Sequence, residues 1–413
     1  MLGPIARRAR ALVRELTLPA PARAQLWIDR RGLPKTDPGP DVASREVLAW
    51  LGRAQDHSSS RDGGVARHFS LLHDAWSTSY PETTGYLIPT LFWCAEISES
   101  ADAAQYRERA RRMLDWLVSV QFPGGGFPGG VVGNLSSVPV TFNTGQILLG
   151  LAAGVEEFGD AYREPMHRAS DWLIESQDQD GCWRDHPTPF AAPGEKAYET
   201  HVAWGLLEAA GVSGRADLRE SALANVRWAL GLQRANGWFD RCCLDDNSMP
   251  YSHLIGYVLR GVLEAFRASA EPELLAAARR TADGALSALG PDGYLPGRLR
   301  QDWSAAVDWA CLTGTVQLAC CWFLLHRVTG VEAYRSAGLR ANRYVRRTIR
   351  VTGAEGVRGG VKGSFPINGQ YGRFQFLNWA AKFFLDSQLM ERGVFPAGWR
   401  SVFRPEFASH SDP

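Results

Sequence analysis

No stretch of this 413-residue chain reaches 18 consecutive apolar residues, so the sequence holds nothing long enough to cross a bilayer as a helix. An excess of charge of one sign is also missing. Lys and Arg number 45 against 44 Asp and Glu, and a formal charge of +1 gives no global field that would favour nucleic acid or an acidic membrane. Met1 to Arg14 scatters Arg7, Arg8, Arg10 and Arg14 among apolar residues, without the uninterrupted apolar core or small-residue cleavage site of a secretory signal. Cysteine is scarce and odd in number: of seven, four form the adjacent pairs Cys242-Cys243 and Cys320-Cys321, which do not suit ordinary disulfides. These absences predict a soluble, cytoplasmic protein with reduced thiols. Cys320 and Cys321, inside the apolar run from Val316 to Leu325, read as small buried hydrophobes.

What the chain does have is a repeat. Trp50, Trp116, Trp172 and Trp228 follow one another at spacings of 66, 56 and 56 residues, and the register continues through Gly284 and Tyr344. Five residues after each Trp stands a glutamine: Gln55, Gln121, Gln177 and Gln233. A glycine turn follows, as in Gly125-Gly126-Phe127, Gly181-Cys182-Trp183 and Gly237-Trp238-Phe239, where glycine ends a helix and the next aromatic folds back onto the hairpin. Roughly twenty residues further on begins a more apolar helix, at Thr84, Thr144, Thr200, Ile255, Thr313 and Asn378. Helices apolar nearly all round belong inside, and the preceding helices, charged on one face, belong outside. The prediction is an all-α (α/α)6 toroid of six helical hairpins over residues 41–395. A basic, proline-containing arm precedes it at 1–40 and a tail follows at 396–413. The arm reads as packing, with a membrane or partner contact of its basic helix as the alternative.

The segment Gln177-Asp178-Gln179-Asp180-Gly181-Cys182-Trp183 matches the Q-x-x-D-G-x-W repeat of squalene cyclases and protein prenyltransferase β-subunits, so the chain resembles that toroid superfamily over most of residues 41–390. The resemblance implies the hairpin fold. The Asp-x-Asp-Asp acid motif of squalene cyclases is absent, the nearest text being Leu244-Asp245-Asp246-Asn247. Asp240-Arg241-Cys242 is similar to the Asp-x-Cys zinc pair of the prenyltransferases, but no histidine follows at a comparable distance, so no metal is assigned. In fold and composition the chain is also similar to six-hairpin glycosidases, polysaccharide lyases and sugar epimerases.

In such a ring the loops from outer to inner helices gather at one mouth, and here they are both aromatic and polar. Unit one offers Trp76, Tyr80, Glu82 and Tyr86; unit two Phe142 and Asn143; unit three Trp183, Tyr198, Glu199 and His201. Unit four adds Trp238, Asp245, Asp246, His253 and Tyr257, unit five Trp303 and Asp308, and unit six Tyr371 and Arg373. Aromatic faces stack on the C–H faces of sugars, and the polar groups bind hydroxyls or carboxylates. Glu82, Glu199 and Asp308 are the candidate catalytic carboxylates, with His201 and His253 as alternative proton carriers, because glycoside hydrolysis needs paired carboxyl groups. Each has a plainer reading as a helix cap or a core histidine. The stretch from Gly353 to Gly363, with Arg358 and Lys362, reads either as a turn at ring closure or as an anion cradle.

The expected function is a carbohydrate-active enzyme acting through paired carboxylates on an oligosaccharide or uronic-acid-containing glycan, with no cofactor and no nucleic-acid partner. Three alternatives stay open: a lyase or epimerase using Tyr371, Arg373 and His253, a terpenoid cyclase or prenyltransferase-like enzyme, and a non-catalytic binding toroid. Oligomeric state is not legible.

Overall fold

The computed structural model describes residues 15–402. Helix α1 (Ala20–Arg30) is followed by six outer helices: α2 (Pro40–Asp56), α4 (Ser100–Ser119), α6 (Arg163–Glu175), α8 (Ala216–Leu230), α10 (Pro272–Ser287) and α12 (Glu332–Arg346). Six inner helices alternate with them: α3 (Pro81–Glu96), α5 (Thr141–Phe158), α7 (Thr200–Ser213), α9 (Ser252–Ser269), α11 (Leu312–Thr329) and α13 (Asn378–Glu391). Each inner helix packs on the next, and α13 packs back on α3, which closes the toroid. Their early glycines permit that approach. A Cβ on Gly145 of α5 would lie 2.6 Å from the Val202 side chain of α7.

The repeat residues are the mortar between hairpins. The Gln177 side-chain amide donates to the carbonyls of Gly181 in its own turn (2.9 Å) and Ser221 on the next outer helix (3.0 Å). Gln55 does the same to Gly63 and Arg109, and Gln121 to Gly125 and Pro165. The ring of Trp116 fills the space over Gly64, and that of Trp172 the space over Gly126. In unit five, where Gly284 replaces the repeat Trp, the ring of Trp303 occupies the vacated volume; a Cβ on Gly284 would lie 2.1 Å from it.

The glycine stretch after α12 is the sixth turn, and it meets the first hairpin. Trp50 Nε1 donates to the Gly356 carbonyl (2.8 Å), and Arg53 donates to the Arg358 carbonyl (2.6 Å). Gly359, at φ +79°, sits so close to α2 that a Cβ would lie 1.9 Å from the Glu46 carbonyl oxygen. Of the two readings of this stretch, ring closure describes the structure. Lys362 makes a buried ion pair with Asp29 of α1 (2.6 Å), whose other oxygen accepts from the Ile367 amide (2.8 Å). The arm therefore packs, from Ala20 onward; its basic residues 1–14 lie outside the described residues.

The sequence pattern predicts helices and turns alone, whereas the loops at the mouth also pair as short strands. Strand β1 (His68–Ser70) lies between β2 (Ala75–Trp76) and β7 (Gln375–Leu377), joining the loops of units one and six. Strands β3 (Pro128–Val131) and β4 (Asn134–Pro139) form a hairpin, and β5 (Ala310–Cys311) pairs with β6 (Ser364–Phe365). All seven cysteines are buried and unpaired, Cys320 and Cys321 within the core.

Candidate functional site

At the N-terminal ends of the inner helices the ring encloses a cavity of about 110 Å³. Its wall carries five tyrosines, namely Tyr80, Tyr86, Tyr198, Tyr257 and Tyr371, together with Phe142, Phe190 and Trp379. Edge-to-face contacts order these rings: Phe142 meets Tyr198 at 5.4 Å and Tyr257 at 5.3 Å.

Glu82 is the one carboxylate among the described residues that line this cavity. It stands in the first turn of α3 just after Pro81, whose fixed φ suits a helix start, and it makes no capping hydrogen bond. Its partner is instead the Tyr80 hydroxyl, which donates to Glu82 Oε2. Burial pushes its pKa up to about 7, against the opposing pull of the Tyr80 hydrogen bond and the Arg67 charge. A carboxyl group poised there is half protonated at neutral pH and can give or take a proton.

Arg67 stands at the edge of the cavity, its guanidinium carbon 5.3 Å from the Phe190 ring centroid, 5.4 Å from Trp379 and 5.8 Å from Tyr80. It makes no ion pair among the described residues. A cation held among three rings without a carboxylate partner is available to an anionic group of a ligand. Phe190, 47% exposed, shields the mouth.

His253 lines the wall, lies tilted against Tyr371 at 4.5 Å and has no partner for Nδ1 among the described residues. Burial, and the Arg298 charge after it, push its pKa down to about 3, so it is neutral. His201 lies deeper, between Tyr257 (4.5 Å) and Trp204 (4.9 Å), with Nδ1 2.6 Å from the Gln146 side-chain oxygen. Burial holds its pKa well below the ordinary range.

The remaining expected site residues divide. Tyr86, Tyr198, Tyr257 and Tyr371 line the cavity. Glu199 is buried beside it without lining it; desolvation raises its pKa, Oε2 has no partner among the described residues, and it does not cap α7. Asn143 is fully buried and its side-chain amide has no partner among the described residues. Asp308 lies exposed on the outer rim beside Asn368 and Gln370. Asp245 is bound by Arg298 at 2.6 and 3.1 Å, and Asp246 is half-buried, accepting from Ser248. Arg373 is exposed and lies over Phe374.

The four tryptophans expected to bind substrate pack the scaffold instead. Trp76 lies against Trp50 and Phe69, and Trp183 donates to the Leu173 carbonyl. Trp238 meets Trp303 at 5.4 Å, and Trp303 fills the gap over Gly284. For Trp183 the physical reason lies in the repeat: the aromatic after the glycine turn folds back onto its own hairpin. Arg67, Phe190 and Trp379 were not singled out by the sequence. Arg67 and Trp379 come together because the Asn378 amide donates to the Arg67 carbonyl (3.3 Å), a contact between residues in units six and one.

No family model and no curated protein sequence matches the chain. Among solved structures, the unsaturated glucuronyl hydrolase of Bacillus sp. GL1, described as responsible for glycosaminoglycan degradation, superposes with a TM-score of 0.68 at 16% identity, covering 87% of this chain and 100% of its own. An unsaturated glucuronyl hydrolase specific for heparin gives 0.67 at 14% identity over 86% of this chain and 98% of its own. Cellobiose 2-epimerase from Bacillus thermoamylovorans B4167 gives 0.65 at 12%, over 85% and 97%. At these identities the likeness is one of fold: the chain has the six-hairpin (α/α)6 toroid that these structures share.

Proposed function

We propose that the protein is a carbohydrate-active enzyme that holds one sugar ring in the mouth cavity, with Glu82 as the proton donor and acceptor. The observation that carries this is the Glu82 carboxyl, buried in a tyrosine wall and poised near neutrality. Five phenolic hydroxyls among aromatic faces suit a ring that is apolar on its C–H faces and polar at its edge. Arg67 suits a uronate carboxylate, and proteins of the same fold are named for glucuronyl and cellobiose chemistry. The cavity wall presents one carboxyl rather than two, which favours reactions needing a single proton relay at the sugar over hydrolysis by a carboxylate pair.

One observation favours a second reading, a terpenoid cyclase-like enzyme: a single protonated acid in an aromatic cavity also suits carbocation chemistry. The small volume and the tyrosine hydroxyls weigh against it.

Incubation with uronic-acid-containing disaccharides, neutral disaccharides and isoprenoid diphosphates separates the two. We expect turnover of a uronic-acid disaccharide, lowered about 100-fold or more in E82Q, with R67M raising KM for the uronate but not for a neutral sugar. D308N should leave turnover unchanged. Glycan turnover that survives E82Q removes Glu82 from the chemistry, and turnover of isoprenoid diphosphates alone establishes the second reading.

A further inference from the structure

The opposite end of the ring holds a larger cavity, about 390 Å³, running from the middle of the inner helices to their C-terminal ends. A layer of rings separates it from the mouth cavity: Phe383 packs on Tyr86 at 5.5 Å and on Tyr257 at 6.0 Å. Below that layer two cations lie over the Trp204 ring. The Arg260 guanidinium carbon lies 4.1 Å from its ring centroid and Lys382 Nζ 5.9 Å from it, and these residues are 5% and 2% exposed.

Counting donors and acceptors shows what this cavity lacks. Glu264 accepts from Arg260 Nε, from Arg267 Nε and from the Trp399 indole. Asp386 accepts from the Thr90 hydroxyl and from Lys382 Nζ. These carboxylates are engaged on both oxygens, yet Arg260 donates through Nε alone, and Lys382 has one hydrogen bond for three protons. Both terminal nitrogens of Arg260 and two protons of Lys382 have no acceptor among the described residues. Charges buried at such desolvation cost are not used by the mouth cavity.

Apolar groups make up another part of the wall, with Trp93, Phe92 and Leu149 beside Trp204. Of the acids nearer the rim, Glu96 is paired with Arg400, Glu157 with Arg107 and Glu208 with Arg267, leaving Glu156 exposed and unpaired among the described residues. Helix α14 (Ala397–Arg400) lies across the open end with Trp399 buried beneath it, and Arg327 donates to the carbonyls of Trp399 and Arg400.

We propose that this lower cavity binds a small organic carboxylate, its head group on Arg260 and Lys382 and its apolar body against Trp93 and Trp204, with α14 as the cover. Benzoate is the probe. The full-length protein is heated in benzoate, in inorganic phosphate and in chloride at equal ionic strength. Benzoate should raise Tm by about 3 °C or more over chloride, and R260M and A153F should abolish the rise. Ala153 lines the cavity and carries no charge of its own, so A153F fills the space even if R260M fails to fold. E82Q should keep the rise. Absence of a rise, its survival in A153F, its loss in E82Q or an equal response to phosphate would each overturn the proposal.

Discussion

Glu82 and His253 share one cavity and respond to protons in opposite senses. The folded pKa of Glu82, about 7, lies above its ordinary value of 4.5, so the folded state keeps a proton that the unfolded chain releases. Its contribution is present below pH 4.5 and is lost as pH rises to 7. The folded pKa of His253, about 3, lies below its ordinary 6.5, so its contribution is present above pH 6.5 and is lost as pH falls toward 3. The two slopes oppose each other between pH 4.5 and 6.5, and a comparison of variants isolates each. E82Q, which cannot ionise, should gain about 3 kcal/mol over the parent between pH 4 and pH 8, read from urea unfolding at both pH values. An unchanged difference would mean that Glu82 ionises normally. The same residue should set a falling limb near pH 7 in kcat/KM on any substrate that the protein turns over. At this scale the sequence was only half legible. The start of an inner helix announced its position, but whether the carboxyl pairs, caps or stands alone depends on the burial that five other units supply.

At the scale of the element, legibility was far greater, because each helix is written locally. Apolar periodicity separates inner from outer helices, and the glycine turns mark their ends. What the repeat pattern conceals is the direction of its aromatics. Trp183 stands in a loop that leads to the mouth, yet its position just after the turn glycine commits it to its own hairpin. The sixth turn shows how demanding these junctions are. Gly359 needs a positive φ and also the absence of a Cβ beside the Glu46 carbonyl, whereas Gly133, at φ +92° in the β3–β4 hairpin, has nothing within 4 Å. G133A should therefore cost about 1–2 kcal/mol from backbone strain alone. G359A should cost appreciably more, since α2 must shift to admit the methyl group. Urea midpoints of the two variants measure the difference, and equal losses would show that the closure contact is loose.

For the whole molecule, the arm and the last loop act as one piece. The Lys362–Asp29 pair is almost wholly buried, and Ser364, two residues on, holds Tyr371 of the cavity wall through its hydroxyl (2.6 Å to the Tyr371 carbonyl). Removing one member of a buried pair leaves the other uncompensated, so D29N should destabilise the protein by about 3–5 kcal/mol. Amide exchange should speed up first across residues 362–377, ahead of the opposite side of the ring. Uniform loss of protection would instead mean that the arm supports the whole toroid equally. This coupling was not legible from the chain, because the pair spans 333 residues and neither partner belongs to the repeat.

Trp50 and Gly356, the two ends of the closing hydrogen bond, are 306 residues apart. A ribosome makes the chain from its amino end, so hairpins one to five emerge and stack in order, each supporting the next. The first hairpin must wait for the sixth unit before its outer tryptophan finds its acceptor. Until then the nascent chain is an open arc with two unfinished edges, and a chain released before the glycine turn at 353–363 keeps both.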